Sequence, residues 1–211
     1  MTAINHHTPD ALLAAYAAGS LPAPYELVIA AHISLCVECR AALEAHHAAG
    51  GIVLEETAGA PLSVGLKTSV LDLLDAPVTD KPAAARAGIY PGPVMEALKG
   101  QPPRWKSLGL GVRQSILSDG HEGSVRLLYI PGGQAVPDHS HNGLELTLVL
   151  QGSFSDETGR FGVGDLEIAD ESLEHTPMAD PGAPCICLAA TDAPLRFRSF
   201  IPRLLQPIFR I

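Results

Sequence analysis

The chain has little of several features that would assign it quickly to a class. Only 5% of its 211 residues are aromatic and only four are cysteine. No apolar run approaches the roughly 20 residues of a membrane-spanning helix. The opening, MTAINHHTPD, has no basic segment followed by an apolar one, so no secretory signal is visible. We therefore expect a cytoplasmic protein, in which cysteines serve metal binding or redox chemistry more often than structural disulfides.

Basic residues are also scarce, most of all in the first third of the chain. The net charge is −9, and residues 1–76 contain eight acidic residues against two basic ones. This balance argues against direct binding of nucleic acid, which requires a basic surface. It suits a basic protein partner, because opposite fields steer association. An acidic surface that serves only solubility explains the charge equally well.

The hydrophobic pattern is helical at first and strand-like later. Helix signals predict four helices, over about 8–19, 24–32, 36–49 and 65–75; Thr8 is the expected N-cap of the first, and Gly50-Gly51 the expected end of the third. The later runs SVRLLYIP, LELTLVLQGSF, CICLAA and LRFRSFI are short and bounded by Gly, Pro and Asp, which is typical of antiparallel strands.

A proline-rich stretch separates these two patterns. Residues 77–103 contain six prolines, and proline fixes φ and removes a hydrogen-bond donor, so we expect a linker or extended strap. The predicted fold class is multidomain α + β. It comprises a helical domain of residues 1–76, the linker of 77–103, and an antiparallel β-barrel or jelly roll of 104–211.

The first candidate site is the spacing His32-x3-Cys36-x2-Cys39. Zinc is usually held by four nitrogen or sulfur ligands in a tetrahedron, and this pattern supplies three across a turn between two helices. His6 or His7, just ahead of the first helix, is the obvious source of the fourth. A redox-active cysteine pair, or a buried histidine beside two small buried thiols, remains an alternative.

The second candidate site is the pattern G-x5-H-x-H-x3-E-x6-G, which runs from Gly133 to Gly152 and is the first cupin motif. His139 and His141 are two residues apart and so share a strand face. Glu145 begins the next strand with the same inward parity, and His175 can supply a fourth ligand. Such a set suits zinc, iron, manganese or nickel.

The two patterns together resemble a known family. His32-x3-Cys36-x2-Cys39 with an upstream histidine is similar to the zinc-binding anti-sigma domain. The opening HHTPDALLAAYAAGSLPAPYELVIAAHISLCVECR resembles more narrowly the ChrR-type anti-sigma factors, which join that domain to a cupin.

The resemblance implies an extracytoplasmic-function sigma factor as the partner and a cupin that serves release in the singlet-oxygen response. It implies zinc in the helical domain and zinc or another divalent transition metal in the cupin. The implied ligands are His6, His32, Cys36 and Cys39 for the first site and His139, His141, Glu145 and His175 for the second.

Other interpretations of the sequence remain open. A cupin dioxygenase or isomerase with a helical appendage would use a similar ligand set. A small-molecule-sensing cupin whose helical domain only dimerises would share the same parts without a sigma factor. Cys185 and Cys187 share a strand face and are either an oxidation sensor or two small buried side chains.

Overall fold

The structure is a computed structural model that describes residues 3–75, 84–140, 142–193 and 196–197. Helices occupy most of the first part of this range. They are α1 (Asp10–Ala17), α2 (Ala23–Leu35), α3 (Val37–Glu56), α4 (Leu66–Asp72), a 3-10 turn (Leu73–Asp75) and α5 (Gly92–Ala97).

Prolines and one cysteine set the starts of the first three helices. Pro9 and Pro22 are the N-caps of α1 and α2, so the cap of α1 lies one residue after the predicted Thr8. Cys36 ends α2 and begins α3, and its sulfur accepts the backbone N–H of Cys39 at 3.4 Å. This sharp junction holds the two cysteines at the start of α3, as the spacing predicts.

The predicted end of α3 at Gly50-Gly51 is wrong, because the helix continues to Glu56. Glycine ends a helix when it takes a left-handed conformation. Neither of these glycines has a positive φ, whereas Gly19, which follows α1, has φ +64°. Glycine inside a helix costs about 1 kcal/mol relative to alanine, and the alanine-rich sequence around the pair favours the helix.

Twelve strands follow in the second part of the described chain. They are β1 (Lys106–Gly109), β2 (Val112–Gly120), β3 (Gly123–Ile130), β4 (His139–Ser140), β5 (Glu145–Gln151), β6 (Ser153–Ser155), β7 (Arg160–Gly162), β8 (Leu166–Ala169), β9 (Glu174–His175), β10 (Met178–Ala179), β11 (Cys185–Thr191) and β12 (Arg196–Phe197).

The strands form one large sheet and two small ones, and every pair is antiparallel. The large sheet has the order β1-β2-β3-β11-β5-β8, and the small sheets have the orders β10-β6-β7 and β12-β4-β9. The non-sequential order, with β11 between β3 and β5, is that of a double-sheet β-structure and not of a simple meander. The predicted combination of a helical region with an antiparallel cupin is confirmed.

The large sheet packs its outer face against α2. Register aligns Leu127, Leu188 and Leu148 in one row across β3, β11 and β5. Val28 and Ile29 of α2 belong to the same buried cluster, and all five side chains are fully buried. Side chains along a strand alternate between its two faces. In each strand, the residues immediately before and after the leucine therefore point into the barrel. The helices and the barrel therefore share one hydrophobic core.

The predicted linker also contributes to this packing. Residues 76–83 lie outside the described residues, but α5 falls within the proline-rich stretch and contacts α2. Val94 of α5 is completely buried in the shared core. Trp105 follows and packs edge-on against Tyr129 of β3, with ring centroids 6.0 Å apart. This stretch therefore straps the helices to the sheet.

A shared core predicts that one truncation destabilises both parts together. Ile29→Ala should lower the free energy of unfolding by about 2–5 kcal/mol, since it removes buried methyl groups and leaves a cavity. Ile52→Ala is the matched control: Ile52 is 58% exposed, so its truncation should cost less than about 0.5 kcal/mol. Urea unfolding followed by circular dichroism and by Trp105 fluorescence should give coincident transitions. Separate transitions for helices and barrel would contradict the shared core.

Candidate metal centres

Four side chains converge where α2 meets α3. His32 Nε2 lies 3.2 Å from the Cys39 sulfur, and His7 Nδ1 lies 3.3 Å from the Cys36 sulfur and 3.7 Å from that of Cys39. One ligand atom from each residue lies within 4.8 Å of all the others. Zn–S and Zn–N bonds of about 2.3 and 2.0–2.1 Å give nitrogen–sulfur edges of about 3.6 Å in a tetrahedron. The cluster therefore fits a four-coordinate metal ion.

The structure brings His7, and not His6, into this cluster. The backbone N–H of His6 donates to Asp165 Oδ1 at 2.9 Å, and its carbonyl accepts from Leu166 N at 3.1 Å. The His6 ring packs against Phe161, with centroids 4.3 Å apart. Neighbouring residues of an extended segment point to opposite sides. Fixing His6 on the barrel therefore turns His7 toward the cysteines.

His32 is held in one tautomer by the barrel. Its ring is completely buried, and Nδ1 donates to the carbonyl oxygen of Gly164 at 3.0 Å, which directs Nε2 toward Cys39. Burial lowers the pKa of His32 to about 4, against a smaller raising effect of the Gly164 carbonyl. The imidazole is therefore neutral at physiological pH, the form that binds a metal. Burial likewise raises the pKa of Cys39, whose thiolate a bound cation would stabilise.

A second group lies inside the barrel around His175. His175 Nδ1 is 2.7 Å from Asp156 Oδ2 and 3.3 Å from Glu167 Oε1, and all three side chains are buried. Glu167 Oε1 lies outside hydrogen-bond geometry and has no hydrogen-bond partner among the described residues. Because Nδ1 faces the carboxylates, a metal ion would bind His175 through Nε2. This arrangement matches the carboxylate–histidine–metal triads of other proteins.

The three groups set one another's protonation. Burial raises the pKa of Glu167 to about 7. Burial alone would lower the pKa of His175, but the nearby carboxyl groups of Glu167 and Asp156 outweigh it and raise this pKa to about 9. Burial would raise the pKa of Asp156, yet hydrogen bonds from Glu167, Thr158 and His175 hold it well below its usual range. Without a metal, the group is a buried imidazolium with at least one carboxylate.

The remaining predicted cupin ligands are described only in part. His139 of β4 is paired in register with His175 of β9. Glu145 accepts a hydrogen bond from Thr147 Oγ1 at 3.0 Å, and register places it on the inner face of β5 beside β8, which carries Glu167. His141 lies outside the described residues.

Asp156 and Glu167 are not among the site residues that the sequence predicts. Glu167 did carry a signal: it is the only charged residue in the apolar run LEIA of β8, at a position whose parity points inward. Asp156 had none, because it lies in the turn after β6, where acidic residues are common.

Cys185 and Cys187 are neighbours on the inner face of β11. Their sulfur atoms are 3.4 Å apart, and both side chains are buried. A hydrogen bond with Cys185 and burial raise the pKa of Cys187 well above its usual value. The thiol form therefore prevails, which favours a packing role over a reactive one. An oxidation-sensing role for this pair stays a prediction.

Crossing a bilayer takes a longer and more apolar helix than any found in the described part of the chain.

The sequence and structure also match known proteins. Residues 97–193 match the family model described as the ChrR cupin-like domain. The anti-sigma-E factor ChrR of Cereibacter sphaeroides (strain ATCC 17023) is 58% identical over 99% of both chains. A crystal structure of Rhodobacter sphaeroides SigE in complex with the anti-sigma ChrR superimposes with a TM-score of 0.80 at 55% identity, covering 90% of this chain and all of the other. Identity at this level along nearly the whole chain places the protein in the ChrR family of anti-sigma factors.

Proposed function

We propose that this protein binds an extracytoplasmic-function sigma factor through its helical region and that its cupin is needed for release under oxidative stress, such as singlet oxygen. Family membership supports this function, and the relative of known structure was crystallised with its sigma factor SigE. Membership of a family of anti-sigma factors disfavours the alternative of a cupin dioxygenase or isomerase. We also propose that the protein acts in the cytoplasm, where sigma factors act on RNA polymerase.

The observation that carries the binding role is an uncovered apolar surface. Nine large apolar side chains between residues 52 and 74 are at least 50% exposed. We refer to them as the apolar α3–α4 surface: Ile52, Val53, Leu54, Leu62, Val64, Val70, Leu71, Leu73 and Leu74. A concentration of exposed large apolar side chains on a folded protein marks an interaction site. The surrounding region is acidic, which suits a partner with an apolar face and a basic rim.

The helical metal group has a structural role in this proposal. The ligands are His7, His32, Cys36 and Cys39, with His7 in the place given to His6 by resemblance. Two sulfur and two nitrogen donors in a closed tetrahedron are typical of structural zinc. Zinc bound here would tie the N-terminal segment, α2 and α3 together, which fixes the base from which the apolar α3–α4 surface extends.

The cupin metal group has a regulatory role. The proposed ligands are His139, His141, Glu145 and His175, and the metal is zinc or another divalent transition ion. Asp156 and Glu167 would orient His175 as supporting residues and were absent from the predicted set. Asp156, Glu167 and His175 each offer one potential ligand atom, and these atoms all lie within 4.8 Å of one another, which supports a cation in this region.

Leu71→Asp tests the proposed docking surface. We expect it to weaken binding to the cognate sigma factor at least about tenfold, because a charge replaces an apolar contact at the interface. Stability should hardly change, since Leu71 is half exposed. The measurement is a titration of the purified sigma factor by isothermal calorimetry.

Leu110→Asp is the matched control, because Leu110 is 80% exposed in the β1–β2 turn of the barrel. It should bind the sigma factor like the unmodified protein. Equal affinity of the Leu71 and Leu110 variants would remove the apolar α3–α4 surface from the proposal. Failure of the unmodified protein to bind any sigma factor encoded with it would refute the proposed function itself.

A further inference from the structure

The β7–β8 turn of the barrel, residues 163–165, contacts two ligand-bearing segments of the helical region. The carbonyl oxygen of Gly164 accepts the Nδ1–H of His32 at 3.0 Å. The carboxylate of Asp165 accepts the backbone N–H groups of Asn5 and His6 at 2.6 and 2.9 Å. The N-terminal segment is thus bound to the barrel immediately before His7. Two of the four members of the helical metal group therefore depend on this turn for their position.

The burial and hydrogen bonds of Asp165 suit this contact. Asp165 is 3% exposed, and its second carboxylate oxygen, Oδ2, accepts the N–H of Gly162 at 2.8 Å. Burial would raise its pKa, but hydrogen bonds from Gly162, His6 and Asn5 outweigh it and lower the pKa. The ionised carboxylate is a strong acceptor, so these hydrogen bonds are stronger than those between neutral groups.

The same stretch of chain reaches the second metal group. Glu167 lies two residues after Asp165 on β8 and contacts His175 at 3.3 Å. A shift of β8 along its length would move Asp165 and Glu167 together. Only one residue therefore separates Asp165, which supports the helical metal group, from Glu167, which contacts His175.

We infer that the β7–β8 turn and the start of β8 form a positioning element shared by both metal groups, with Gly164 and Asp165 orienting His32 and His7 and Glu167 orienting His175. The inference rests on the metal clamp proposed for the helical region and adds that the cupin completes its supporting shell. Groups that orient metal ligands typically change metal affinity by about 10–100-fold when removed. Coupling through such an element is reciprocal. Metal bound at the cupin group would change zinc affinity at the helical group by the same factor as zinc bound at the helical group changes metal affinity at the cupin group.

Asp165→Ala in the full-length protein tests the inference. We expect zinc affinity at the helical group to fall at least about tenfold in competition with a chromogenic chelator. Alkylation of Cys36 and Cys39 by iodoacetamide, followed by peptide mass spectrometry, should accelerate by a similar factor. Asp165→Asn keeps one acceptor oxygen and should fall between the alanine variant and the unmodified protein.

Two controls separate positioning from general loosening. Asp180→Ala removes another barrel aspartate, which accepts hydrogen bonds from Ser155 and Arg160 within the barrel, and it should leave Cys36 and Cys39 protected. Cys185 and Cys187 report on the barrel in the same digest and should stay slow in the Asp165 variants.

Unchanged zinc affinity and thiol protection in both Asp165 variants would overturn the inference alone. Equal acceleration of alkylation at all four cysteines would also overturn the inference, since it would show global destabilisation. Zinc-free, rapidly alkylated Cys36 and Cys39 in the unmodified protein would overturn the proposed clamp as well.

Discussion

Cys36→Ser should release zinc from the helical region and abolish inhibition of the sigma factor. The substitution removes one of four ligands and also the sulfur that caps the start of α3. The loss of zinc affinity should exceed the roughly 100-fold that removal of a supporting residue can cost. Structural zinc contributes directly to folding energy, so α1 and α3 should loosen. The barrel should remain folded, because α2 is held by the shared core as well as by the metal.

Cys185→Ser is the matched control for that experiment. Cys185 is as buried as Cys36 but lies in the barrel, outside the helical metal group. It should keep one equivalent of zinc in the helical region and full inhibition in a transcription assay with purified sigma factor and RNA polymerase. Full zinc content and full inhibition by Cys36→Ser would refute the clamp.

Glu145→Ala and His141→Ala should give the opposite phenotype, with inhibition retained and release lost. The proposed sigma-binding surface lies on α3 and α4, whereas the cupin group lies within the barrel. Removing a cupin ligand should therefore weaken metal binding there without disturbing docking. Release requires the signal to bias a two-state element, and without the metal that bias is lost. A reporter of sigma-dependent transcription should stay uninduced under singlet oxygen.

Glu122→Ala provides the matched control for the release experiment. Glu122 is exposed in the β2–β3 hairpin and lies outside the cupin motif, so its variant should respond like the unmodified protein. A normal stress response in cells whose cupin is shown to be metal-free would leave the barrel as a scaffold. Turnover of a small substrate by the metal-loaded barrel would instead restore the enzyme alternative.

Local spacing determined much of this protein without any tertiary information. The spacing His32-x3-Cys36-x2-Cys39 predicts three members of the helical metal group. His32 and Cys36 are about one helical turn apart, and Cys36 and Cys39 are separated by the first turn of the next helix. The apolar runs of β3, β5 and β11 predict strands because they are short and are bounded by Gly, Pro and Asp. The cupin motif identified the barrel, and the charge imbalance marked the first third as a candidate binding region.

Only the tertiary structure decided which histidine completes the helical group. His6 and His7 are equivalent as zinc ligands in the sequence, and the choice follows from Asp165, 159 residues away, which binds the backbone of His6 and leaves His7 facing the cysteines. Asp156 and Glu167 likewise became partners of His175 only through the pairing of distant strands. The shared core was not predictable from the sequence either, because the apolar face of a helix does not identify the element that packs against it. Each of these features depends on contacts between segments far apart in the chain, which local propensity and spacing do not encode.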